Sequence, residues 1–226
     1  MTNFQYDLEL VEELGDKQGT AIALGLIGEL LSYQGEFHKA IEYLQKNLML
    51  CEELGYQKGI AKAVNTLGDV FLYTNQYERA LYYYNRAIEV TRRINNKLVL
   101  GFSLVEKAHI LIAMGNLSDL QITQEEALAL AEELGNPDLL FEANIISAKT
   151  KHLQEQPKEA IAILLELLSY PLNKFQEAAV CFEISKILPE KIRYKMRALQ
   201  LYQDLYEDTP KYIFEMRIKQ LKEMDN

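Results

Sequence analysis

Apolar residues along this chain recur every three or four positions in successive stripes: Ala21, Leu24, Ile27, Gly28 and Leu31 form one, and Ala40, Ile41, Leu44 and Leu48 the next. That spacing places each set on one face of an α-helix, so the pattern predicts paired amphipathic helices. Between the stripes stand Gly35 and Gly115, with Asn75 in the equivalent place. These residues accept the left-handed backbone that a tight turn requires. Each pair therefore reads as an antiparallel helical hairpin.

The hairpins repeat with a period of forty. Glu12-Glu13-Leu14-Gly15 returns as Glu52-Glu53-Leu54-Gly55 and as Glu132-Glu133-Leu134-Gly135, with Arg92-Arg93-Ile94-Asn95 in the intervening phase. Gly28, Gly68, Ala108 and Ala148 keep one small phase, and Leu31, Phe71 and Leu111 follow three residues later. Ala40, Ala80 and Ala160 keep a second small phase. Small residues are required where two helices about 8 to 10 Å apart approach most closely. A Leu at position 68 should jam the pair.

A small residue, a large apolar or aromatic residue three on, then Ala and a further apolar residue in the second helix resembles the tetratricopeptide repeat. Leu24, Ile27, Gly28, Leu31, Ala40 and Leu44 carry the match in one unit, and Val64, Leu67, Gly68, Phe71, Ala80, Tyr84 and Ala87 in the next. The third unit departs at Lys107 and Leu120, and the fourth puts Asn144, Ser147 and Lys151 at core phases. The resemblance implies an all-α fold, a right-handed superhelix of stacked antiparallel hairpins. Its usual period is about 34 residues. Six extra residues lengthen each helix by roughly 4 to 5 Å and deepen the concave groove. In this respect the chain is similar to kinesin light chains and to bacterial signalling proteins, whose long repeats bind peptides.

The resemblance places the first helix of each hairpin on the concave side, and its outward residues on the groove. These are Ile22, Gly25, Glu29 and Tyr33; Lys62, Asn65, Asp69 and Tyr73; Phe102, Val105, His109 and Ile112; and Glu142, Ile145, Lys149 and His152. The candidate peptide site comprises Glu29, Tyr33, Lys62, Asn65, Asp69, Tyr73, Phe102 and His109. Relatives that clamp a terminal carboxylate use Lys and Asn, whereas here Glu29, Asp69 and Gly25 stand at those places. Asn65 resembles an Asn with which long-repeat relatives hold a peptide backbone. With Asp69 one turn away, the partner expected is a protein or peptide with a basic or neutral segment. The alternative for Asn65 and Asp69 is a solvated helix face; for Tyr33, Tyr73 and Phe102 it is packing rather than an apolar floor. Of Tyr82, Tyr83 and Tyr84, Tyr84 is the expected core residue.

Composition narrows the remaining classes. The chain has 226 residues, a net charge of −9, 49% hydrophobic and 25% charged residues, and only 11 Gly and 5 Pro. An acidic chain makes a poor nucleic-acid binder, and no apolar run approaches a membrane span. Residues 190–226 hold eight Lys or Arg against seven Asp or Glu, but Lys191, Arg193, Lys195 and Arg197 scatter around a helix. Cys51 and Cys181 have no metal or disulfide spacing, so they read as reduced helix residues. No phosphate loop, zinc motif, nucleophile elbow or clustered histidine occurs. The chain is thus expected to be a cytoplasmic non-enzyme without cofactor or metal.

Three parts are expected: a partial repeat helix at 1–15, four hairpins at 16–169, and a diverged fifth hairpin with a C-terminal capping helix at 170–226. Phe4, Leu8 and Val11 match the second-helix phase forty residues on. The chain is then a piece of a longer array, or starts naturally with an apolar face suited to a homodimer. Pro189 and Pro210 are expected in helix first turns. Two functions suit these features: an interaction scaffold holding a peptide in its groove, or a peptide-gated regulator of an attached kinase, cyclase or transcription factor.

Overall fold

A computed structural model describes residues 3–224, with side chains from Tyr6 onward. Met1, Thr2, Asp225, Asn226 and the side chain of Phe4, part of the apolar face expected at the N-terminus, lie outside the described residues. Twelve helices account for nearly all of the described chain, without a strand among them. They are α1 (Asn3–Glu13), α2 (Lys17–Tyr33), α3 (Phe37–Glu53), α4 (Gln57–Tyr73), α5 (Tyr77–Arg93) and α6 (Lys97–Met114). The remainder are α7 (Leu117–Leu134), α8 (Pro137–Leu153), α9 (Pro157–Leu167), α10 (Lys174–Ile187), α11 (Ile192–Asp208) and α12 (Tyr212–Glu223).

Helix boundaries follow a beat of twenty residues. Left-handed backbone occurs at Gly15, Gly35, Gly55, Asn75, Asn95, Gly115, Gly135 and Glu155. Each ends one helix and lets the next start two residues later. Asp16, Asn96, Asn116 and Asn136 then cap the following helix by accepting its third amide hydrogen. At the first seven turns the residue is Gly or Asn, which tolerate φ near +60°; Glu155, at φ 60°, carries a Cβ that crowds its own carbonyl. Pro137 and Pro157 occupy first turns, where a missing amide hydrogen goes unnoticed. Pro189 and Pro210 do not: α11 and α12 start at Ile192 and Tyr212. Thr209 ahead of Pro210 is extended at φ −151° and ψ 96°, as a residue before proline prefers.

Packing follows the small phases. A Cβ on Gly28 would lie 2.6 Å from Leu44 Cγ, and one on Gly68 would lie 2.6 Å from the Tyr84 ring. Tyr84 is fully buried, whereas Tyr82 is 61% exposed. One cluster spans α2 to α5 through Leu44, Val64, Leu67, Phe71 and Tyr84, and the next runs from Ile88 through Leu104, Leu111 and Leu120 to Ile146. The departures in the third and fourth units are absorbed. Leu120 is fully buried, and buried Ser147 accepts a hydrogen bond from Gln124 Nε2 at 3.1 Å while donating to the Ala143 carbonyl at 2.9 Å. Cys51 and Cys181 are buried free thiols.

The last helix does more than cover the final hairpin. Phe214 and Leu221 of α12 pack with Phe182, Leu201 and Tyr202 of α10 and α11. Its first turn crosses back to the opposite end of the stack. There the Tyr212 ring meets Phe37 edge-on at 4.9 Å and lies 6.4 Å from Tyr73, and Lys211 Nζ sits 4.7 Å over the Tyr33 ring. The superhelix is therefore bridged from its last helix to its first complete hairpin.

Two stability outcomes follow from this packing. Gly68→Ala should destabilise the chain by about 1 to 3 kcal/mol in chemical denaturation, because the Tyr84 ring cannot swing away while its hydroxyl donates to Asp69. Glu155→Gly should instead stabilise by about 1 kcal/mol by removing the crowded Cβ.

Candidate functional site

The first helices of successive hairpins, α4, α6 and α8, face a common hollow with α10 and α12. The result is a cavity of about 520 Å³ lined by apolar residues such as Leu72, Ile112, Ile145 and Phe182 and by charges of both signs. A volume of this size is ordinary for a ligand site. Its charged groups come from the concave faces: Glu106 and His109 on α6, Glu142 and Lys149 on α8, Glu183 and Lys186 on α10, and Arg217 on α12.

These charges are not equivalent. Lys149 Nζ lies 3.2 Å from Glu183 Oε1 and 3.3 Å from His109 Nδ1, while Lys186 Nζ holds the other Glu183 oxygen at 3.1 Å. Burial would raise the Glu183 carboxyl, but Lys149, Lys186 and Arg217 outweigh it and bring it down to about 2. Three cations on one carboxylate also explain their own behaviour. Lys149 is lowered by burial and by Arg217 and Lys186, despite Glu183. His109 is pushed well below its ordinary value by burial and by the Lys149 ammonium, and so stays neutral.

Other carboxyls on the concave helices are driven toward protonation. Burial raises Glu106 to about 8, with Asp69 and Glu142 adding repulsion. Burial likewise raises Asp69 to about 7 against the hydrogen bond donated by Tyr84. Glu142 is raised by burial and opposed by Lys149. Glu106 and Glu142 line the hollow, whose walls exclude most of the bulk water that would otherwise solvate their charge.

The eight residues singled out in the sequence divide into two sets. Tyr73 and His109 line the cavity. Glu29, Tyr33, Lys62, Asn65, Asp69 and Phe102 lie elsewhere on the concave helices. Glu29 pairs with Lys62 at 2.8 Å and accepts from the Tyr33 hydroxyl at 3.1 Å; burial and Glu29 push that phenol up to about 12. Asn65 has both ends of its carboxamide engaged, accepting from Ser103 Oγ at 2.9 Å and donating to the Ala61 carbonyl at 3.0 Å. Phe102 packs against the cluster around Leu104. Among their neighbours on the concave face, Glu142, Lys149 and His152 reach the cavity, Val105 is buried in the core, and Ile22 and Gly25 line a smaller hollow of about 100 Å³.

Sequence periodicity missed Glu106, Glu183, Lys186 and Arg217. Glu183 did leave a trace, as a single charge inside the apolar run Val180-Cys181-Phe182-Glu183-Ile184. No group of three or more His, Cys, Asp or Glu among the described residues is arranged to hold a metal ion. No helix among them is long and apolar enough to cross a membrane.

The raised carboxyls have a pH signature with a definite sign. Folded Glu106 and Asp69 keep protons that the unfolded chain has released, so stability falls as pH rises from about 4.5 to 8. The depressed His109 works oppositely, and its contribution is lost as pH falls through about 6.5. The interval from about pH 6.5 to 8 therefore isolates the carboxyls. Melting temperature should decline across it, and Glu106→Gln should flatten that slope.

Residues 19–93 match the tetratricopeptide repeat family. No curated protein sequence matches the chain. Among solved structures, BtubC (BKLC) from P. vanneervenii is similar at 20% identity and a TM-score of 0.65, over 75% of this chain and 74% of that one. The apo form of RapI is similar at 12% identity and a TM-score of 0.73, over 98% of this chain and 68% of that one. The Rap conjugation gene regulator of the plasmid pLS20, in complex with the Phr* peptide, is similar at 13% identity and a TM-score of 0.70. That match covers 90% of this chain and 61% of the regulator. At these identities the shared property is the fold.

Proposed function

We propose that the chain is a tetratricopeptide-repeat interaction module of the forty-residue kind that captures a peptide in its concave hollow. One observation carries the reading: the concave helices converge on a single cavity in which an apolar floor is combined with oriented charges. A similar fold in the plasmid regulator holds the Phr* peptide, which supports the assignment. Tyr73 and His109 act as floor and rim of this site. The Glu106 and Glu142 carboxyls in the cavity, which burial drives toward the neutral form, favour a segment that brings no charge or a positive one that returns them to the charged form.

A second reading rests on Arg217. Because α12 ties the last hairpin to the first, a peptide touching Arg217 acts on the helix that bridges the superhelix. A peptide-gated regulator, passing that change to an attached output domain, uses the same site.

Peptide-display selection on the immobilised chain should converge on a related set of sequences. A Tyr73→Ala, His109→Phe double variant of unchanged helicity should lose at least about tenfold of that enrichment. Equal enrichment by the variant would remove the cavity from the binding site. Small-angle scattering with a selected peptide should show a changed radius of gyration if the regulatory reading holds.

A further inference from the structure

Among the described residues the His109 ring makes one hydrogen bond, at Nδ1, where Lys149 Nζ stands 3.3 Å away. Lys149 is an ammonium, because the ionised Glu183 carboxylate lies 3.2 Å from the same nitrogen. An ammonium carries three donors and no acceptor, so Lys149 donates and the Nδ1 lone pair accepts. Burial and the Lys149 charge keep a second proton off the ring. A neutral imidazole has one hydrogen, and with Nδ1 accepting it resides on Nε2. That nitrogen faces away from Lys149, has no partner among the described residues and is not sealed in the core. Since His109 lines the cavity, the Nε2 hydrogen is presented to it.

We infer that Lys149 is a positioning residue that fixes His109 as an Nε2–H donor, and that this donor takes a main-chain carbonyl of the bound segment. This rests on the peptide-binding reading above and goes further by naming the atom that holds the segment and the group that orients it. The neighbouring cations already have partners. Lys149 and Lys186 each hold one Glu183 oxygen, and Arg217 donates to Gln220 Oε1 at 2.9 Å with its guanidinium 4.6 Å over the Phe182 ring. The imidazole N–H is the member of this group without an acceptor. Around it the wall is apolar, with Ile112 one turn on along α6, Ile145 on α8 and Phe182 on α10. A carbonyl entering such surroundings costs free energy unless a donor meets it, and so does an unanswered N–H. An extended peptide presents a carbonyl at every residue whatever its side chains. One fixed neutral donor therefore anchors the path of the segment and leaves the choice of sequence to the other walls. Because Glu183 of α10 holds Lys149 of α8 against His109 of α6, three successive hairpins set this single contact.

Two measurements test the two halves. Long-range proton–nitrogen correlation spectra of the histidine-labelled chain at neutral pH, with His109 assigned by the signals lost in His109→Gln, should show hydrogen on Nε2 and a bare, hydrogen-bonded Nδ1. Hydrogen on Nδ1, or on both nitrogens, overturns the proposal without any variant. In Lys149→Met the Nδ1 resonance should move to that of a nitrogen accepting no hydrogen bond, and an unmoved resonance overturns the role of Lys149. The second measurement is calorimetry with a peptide selected by display on this chain and with its analogues carrying a single amide-to-ester replacement. An ester carbonyl accepts more weakly, so one replacement should weaken binding by about three- to tenfold, the scale of one hydrogen bond. Against His109→Phe the same replacement should cost nothing further, a coupling that general destabilisation does not produce. His109→Gln, whose carboxamide nitrogen reaches the place of Nε2, should keep most of the affinity. If no replacement is coupled to His109, the donor role falls and the peptide-binding reading stands. If the loss comes instead from neutralising a carboxylate of the peptide, the wall is an anion site and the proposal fails as well. If display yields no binding peptide, both readings are removed.

Discussion

Each hairpin in this chain makes an apolar face that it cannot cover itself, and covering that face with the next hairpin is the constraint from which the architecture follows. The contact works only at short range. Gly28 and Gly68 admit Leu44 and Tyr84 to distances that a Cβ would forbid, and the resulting core runs without a break from α2 to α5. Once neighbours stack this way, the first helix of every hairpin turns its remaining face to the same side. The cavity is thus a by-product of core packing, and its wall residues are those the core did not use.

Those residues were freed from packing but not returned to water, and this gives the hollow its electrostatic character. Glu106 and Glu142 lie between helices that exclude solvent and are driven toward the neutral form. Glu183 sits in comparable burial yet stays charged because three cations surround it. Similar desolvation thus produces opposite protonation states within one cavity, and the difference comes from which helix delivers the neighbouring charge. Ion pairs between successive hairpins on the exposed side, such as Arg92 with Glu126 at 2.6 Å, lie in water and contribute little by comparison.

The repeating part of the fold was legible because its causes are local. Helical stripes, small residues at the crossing points and Gly or Asn at the turns each lie within a few positions of the feature they produce. Val105 shows the boundary of that legibility. Periodicity puts it on the concave side, but it is buried in the core at 1% exposure. Asn65 is a similar case, since the Ser103 hydroxyl that occupies its carbonyl comes from another hairpin, 38 residues away. The path of α12 was not legible at all. Nothing near Tyr212 in the sequence points to Phe37, and only three-dimensional curvature brings them together.

Stacked repeats ordinarily behave as a one-dimensional array, in which each unit senses only its neighbours and the ends fray first. The contact of Tyr212 with Phe37 and Tyr73 converts that line into a loop. A disturbance at either terminus is then shared by both, and melting from one side means breaking an aromatic cluster on the other. The chain gains an all-or-none quality that its repetitive sequence does not advertise, at the expense of slower closure of its longest-range contact.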